Sequence, residues 1–151
     1  MKRLALISIC LLLATSAATA ATPAAYRAHV NRICSGYTPG LEKLAAQMDG
    51  AEAAGKQAAW RAAVVKFLNL SLQQNVRIEV VRIPSSLAPK MKPILRRMTL
   101  IDGHIRLALR DAKSGDTKAM ISELLTIGGL RTPLNHALTV AGLKDCAAIK
   151  A

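Results

Sequence analysis

Three things are scarce in this sequence. Aromatic side chains are limited to Tyr26, Tyr37, Trp60 and Phe67, and acidic residues number 9 against 21 basic ones. Beyond the N-terminal segment, no apolar run approaches the roughly 20 residues that a membrane-spanning helix needs. Each scarcity excludes something. With so few aromatics and no known recognition motif, the strong basic charge does not read as nucleic-acid binding. The carboxylates occur singly, at Glu42, Asp49, Glu52, Glu79, Asp102, Asp111, Asp116, Glu123 and Asp145. The pair at helical spacing, Asp49 and Glu52, lies beside the expected Gly50 break and does not suggest acid/base work, and no Glu-x-x-His motif of the di-iron kind occurs. Nucleophile-elbow, phosphate-loop and dinucleotide fingerprints are also missing. An enzyme is therefore not the expected reading.

The N-terminus does hold an apolar run, and its layout is that of an export signal. Lys2 and Arg3 precede the apolar stretch Leu4 to Ala14, and Ala18-Thr19-Ala20 supplies an A-x-A cleavage site. The stretch is about a dozen residues long, too short to remain as a spanning anchor. Cys10 lies inside it behind Ile9, not behind the small residue a lipidation signal requires. Residues 1–20 are accordingly expected to be a signal peptide and 21–151 a single mature domain, periplasmic or extracellular, with no transmembrane segment after cleavage. Losing Lys2 and Arg3 lowers the 21 basic residues by two against 9 acidic ones, which leaves a mature charge of about +10.

Only Cys34 and Cys146 remain after cleavage. In an oxidising compartment an even number of cysteines reads as a disulfide, ahead of free thiols, metal ligation or an intermolecular bridge. The bond would close a loop of over a hundred residues, for which the chain-entropy model gives about 4 to 5 kcal/mol.

Helical periodicity runs through the rest of the chain. Thr22-Pro23 is a capping start, followed by Tyr26, Val30, Ile33 and Tyr37 on one face. Thr38-Pro39 repeats the start signal, so this helix is expected to kink or to resume as Leu41 to Met48, stopping at Asp49-Gly50. A second helix is expected over 51–83, with Trp60, Val64, Phe67, Leu68, Leu72 and Val76 on its stripe. Its end alternates like a strand, but no partner strand exists elsewhere and an isolated strand is unstable. After Pro84-Ser85-Ser86, Leu87, Met91, Ile94, Met98, Ile101, Ile105 and Ala108 form the seam of a third helix to about Lys113. Asp116 caps a fourth, with Met120, Leu124, Ile127, Leu134, Leu138 and Ala141 on its stripe. Kinks are expected at Gly128-Gly129 and Thr132-Pro133, with Gly142 as terminator. The fold class is all-α: an up-down-up-down four-helix bundle with kinked helices, stapled by one disulfide. That topology places the start of the first helix and the end of the fourth at one end, where Cys34 and Cys146 sit.

Metal and cofactor chemistry has little support. His29 and His136 come out roughly 15 to 20 Å apart along the bundle at 1.5 Å per residue, His104 has no His or Glu one turn away, and no C-x-x-C-H sequence occurs. The expectation is no metal site and no cofactor. The alternative is a haem- or metal-binding bundle for electron transfer or metal handling, with His104 or His136 and Met98 or Met120 as ligands. Asp102, beside the third-helix seam, is expected to pair with Arg106 at i+4. The basic residues are more suggestive: Lys92, Arg96, Arg106, Arg110 and Lys113 fall on one side of the third helix, broadened by Lys90 and Arg97. Such a ridge suits an acidic protein or an anionic envelope surface, although a merely solvated face accounts for it too.

In Tyr26 with Ile33-Cys34, Ile83-Pro84, Ser114-Gly115-Asp116, and Ala141-Gly142-Leu143 ahead of Cys146-Ala147, the chain resembles small secreted or envelope-attached bacterial helical-bundle proteins of unassigned function. The resemblance covers nearly all of the mature chain. It implies the four-helix fold and carries over no catalytic residue.

Overall fold

Where the sequence offers a side-chain cap, the helix begins there. In the computed structural model, which describes residues 22–147, Thr22 Oγ1 accepts from Ala25 N at 3.1 Å and opens α1 (Pro23–Ala53). Asp116 Oδ1 accepts from Ala119 N at 2.9 Å and opens α4 (Thr117–Val140). Between them lie α2 (Gln57–Glu79) and α3 (Ala88–Ser114), and a short α5 (Lys144–Ala147) closes the described chain. The signal peptide expected over 1–20 lies outside the described residues. No strand occurs among those described, and the ambiguous segment from Val76 to Ile83 is helical as far as Glu79.

Several boundaries differ from expectation, each for a local reason. α1 passes through both Pro39 and Gly50. Proline leaves one carbonyl four residues back without its donor, and for Pro39, Pro93 and Pro133 those carbonyls belong to the exposed residues Ser35, Pro89 and Gly129. Solvent can serve them, so none of the three helices ends there. Gly128-Gly129 lies within α4, as the stripe from Met120 to Ala141 implies. The stop in α1 comes at Gly55, whose φ of 63° lets Lys56 N reach back to Ala51 O at 2.8 Å. Residues 51–53 therefore belong to α1, and α2 starts later and ends earlier than 51–83. Cys146 lies on α5, a fifth element that periodicity did not suggest.

α1 packs along α2 and α3 along α4, α2 meets α3, and α5 touches both α1 and α4. Gly40 permits close approach in the first pair, since a Cβ there would come within 2.9 Å of Leu70 Cδ2. The α3 seam from Leu87 to Ala108 is buried throughout, together with Tyr26, Val30, Val64, Phe67, Leu68, Met120, Ile127, Leu134 and Leu138. Val76, placed on the α2 stripe by its spacing, is instead exposed. Among the described residues no helix is long and apolar enough to cross a membrane.

The Cys34–Cys146 disulfide is formed. Around it, the first turns of α1 clasp the turn between α4 and α5. Arg27 Nε donates to Ala141 O at 2.8 Å and Asn31 Nδ2 donates to Gly142 O at 3.1 Å, while Asn31 Oδ1 accepts from Asp145 N at 3.3 Å.

Candidate functional site

Two features of this framework have the chemistry of a site: the cationic face of α3 and a polar cavity in the interior. On α3, the buried seam fixes which residues point outward. Lys92, Arg96, Arg106, Arg110 and Lys113 are all exposed, on the side away from Met91, Met98, Ile105 and Ala108. Arg110 is engaged, with Nε and Nη2 both donating to Asp111 Oδ1 at 3.0 and 2.9 Å. It neutralises a buried carboxylate and is lost to the ridge as an unpaired charge. Of the two residues expected to broaden the ridge, Arg97 turns toward α4 and donates to Pro133 O at 3.2 Å. Lys90 and Arg97 instead line a groove with His136 between α3 and α4.

The histidines and the one carboxylate singled out by sequence are placed differently from expectation. His29 and His136 are exposed, whereas Met98 and Met120 are buried in the core. His104 is partly buried, with Nδ1 2.6 Å from Glu123 Oε2, a partner on α4 that local spacing does not reveal. Asp102 is buried, and its Oδ1 accepts from Asn75 Nδ2 at 2.6 Å; its partner is on α2, and Arg106 forms no salt bridge with it. Burial pushes the Asp102 carboxyl above its ordinary value, with Glu79 adding to the rise and the Asn75 hydrogen bond and Arg106 opposing it. Among the described residues no group of three or more His, Cys, Asp or Glu side chains could hold a metal ion.

The interior cavity measures about 30 Å³ and lies where α2, α3, α4 and α5 converge. Its polar lining is Ser71, Gln74 and Asn75 from α2 with Arg131 and Asn135 from α4. Ser71 and Gln74 are 3% and 4% exposed, yet Ser71 Oγ and Gln74 Nε2 meet no hydrogen-bond partner. Desolvation lowers the pKa of the Arg131 guanidinium below its ordinary value.

No known protein family, curated protein or solved structure matches the chain. What it does must follow from its own side chains. The sequence did carry a signal for the cavity. Phe67, Ser71, Gln74 and Ile78 repeat the spacing of a buried seam, as do Ile127, Arg131, Leu134 and Leu138. Polar residues at such positions point inward, and neither the charge runs nor the histidines mark them.

Proposed function

We propose that this is an exported, non-enzymatic protein of the periplasm or extracellular space that binds an anionic envelope surface through α3. The single observation behind this reading is that Lys92, Arg96, Arg106 and Lys113 are exposed on one face of α3 with no ion-pair partner among the described residues. A surface cation that serves only solubility gains from neighbouring carboxylates, which here number few. The helices are inferred to run up-down-up-down. In support, residues rising along α3 meet residues falling along α4, as in Arg97 with Pro133 O and His104 with Glu123. That arrangement presents the ridge on a rigid rod.

Each Lys or Arg near an anionic bilayer contributes about 1 kcal/mol, so four of them correspond to a roughly thousand-fold gain in partitioning. The test is co-sedimentation of the mature protein with phosphatidylglycerol-containing vesicles at low and high salt. Binding should fall steeply with salt and be lost in the Lys92→Gln/Arg96→Gln/Arg106→Gln/Lys113→Gln variant. A control variant with the same charge loss at the exposed Arg32, Lys43, Lys66 and Lys118 should retain most of it. No binding at low salt, or equal losses in the two variants, refutes the reading.

A further inference from the structure

The interior cavity has a charge problem that its protein lining does not solve. Arg131 carries a guanidinium into the space between α2, α3 and α4, and neither ion pair among the described residues includes it. The two buried carboxylates are already taken, Asp102 by Asn75 and Asp111 by Arg110. Ser71 and Gln74 line the same cavity and are each more than nine-tenths buried, and the Ser71 hydroxyl and the Gln74 amide nitrogen have no partner. Buried donors left unmade cost free energy, and a partly desolvated cation without a counter-charge costs more. Hydrogen-bond donors of three kinds therefore converge on one small space, with no acidic group assigned to it.

We propose that this cavity binds a small monovalent anion, chloride or formate in size, held by Arg131, Gln74 and Ser71. The volume supports this. A single water needs about 10 to 15 Å³ by the same measure, and the cavity offers about 30 Å³. That suits one compact anion. A water pair would satisfy the hydroxyl and the amide but would leave the guanidinium uncompensated. Asn75, Arg131 and Asn135 of the lining remain partly exposed, which provides a polar route inward. The site is independent of the α3 ridge: Arg131 and the ridge lie on different helices, and the ligand here is an ion, not a surface.

The experiment is an NMR titration of the mature protein with sodium chloride and with sodium formate. Ionic strength is held constant with sodium gluconate, whose anion exceeds the cavity. Matched ionic strength cancels general screening of the basic surface. The expected result is one saturating curve shared by the Arg131 Nε–Hε signal and the Gln74 side-chain amide, with chloride or formate but not gluconate. In parallel, at a hundred times the dissociation constant the folding constant should rise about 100-fold by linkage. Arg131→Gln should remove the saturable response, and Ser71→Ala should weaken it. A cavity filled by water alone gives no saturation at either signal, which overturns the proposal. So does a saturable response that survives in Arg131→Gln. The wild-type titration decides the matter even if a variant fails to fold.

Discussion

Reducing the Cys34–Cys146 bond should cost this domain about 5 kcal/mol. The two residues are 112 positions apart, and the chain-entropy relation for a loop of that size gives a loss near 16 cal/mol/K, or about 4.8 kcal/mol at 25 °C. Total stabilities of domains this size are about 5 to 15 kcal/mol, so the bond accounts for between a third and nearly all of the whole. Cys34 and Cys146 are both buried, so reductant must act on the unfolded chain, followed by refolding under reducing conditions. Urea unfolding followed by circular dichroism then compares oxidised and reduced protein, with thiol alkylation confirming the redox state. The midpoint should drop sharply, and the slope should steepen because the reduced unfolded chain exposes more surface. A loss below about 1 kcal/mol with an unchanged slope would refute the entropic reasoning. It would mean that the reduced unfolded chain stays compact, with its two ends near each other without the bond.

Two further outcomes test the interior and the clasp. Because burial raises the folded-state pKa of Asp102, its contribution to stability is full below the unfolded value and is lost as pH rises through the folded value. Asp102→Asn, which keeps an oxygen for Asn75, should be the more stable protein at neutral pH and show a flatter stability profile above pH 3.8; denaturation midpoints across pH that favour the wild type increasingly toward neutrality would contradict this. Gly142→Ala places a side chain at φ 82° and sets its Cβ 2.9 Å from Arg27 Cδ. The conformational part alone costs about 1 to 2 kcal/mol, and in an Arg27→Ala background the total cost, read from urea midpoints, should shrink toward that value as the collision disappears.

What the sequence made legible is what short-range physics decides. The Thr22 and Asp116 caps are hydrogen bonds within one turn, and the α3 seam is a periodicity that one helix displays by itself. α1 runs past Gly50 to Ala53 because Gly50 sits among good helix formers with open space around it. A glycine ends a helix when the following residues can bond back across it, as at Gly55, and its presence alone does not decide the matter. Whether α1 ends or continues at Pro39 was open in the sequence for a similar reason: the cost of a proline depends on whether the orphaned carbonyl faces solvent, which needs the tertiary arrangement. Val76 failed the other way, a residue with correct spacing whose face no neighbour covers.

The site was less legible because the partners of Asp102 and His104 lie on other helices, while Arg110 bonds the residue beside it. Asp102 had a cation at i+4 and bonded Asn75 on another helix instead; Arg110, counted with the ridge, turned to its own neighbour Asp111. Spacing shows that Ser71, Gln74 and Arg131 point inward, but not that α2 and α4 bring them to one level. Energetically this matters for the whole domain. Two unpartnered buried donors at about 1 to 3 kcal/mol each are comparable with the roughly 5 kcal/mol of the disulfide, and apolar residues at those seam positions would avoid the cost. Cys146 itself lines the cavity, so the bond that offsets the polar interior also fixes one of its walls to α1. A polar layer of this cost, braced by a covalent staple at its edge, is better explained by a bound anion than by packing, since packing alone would favour leucine at each position.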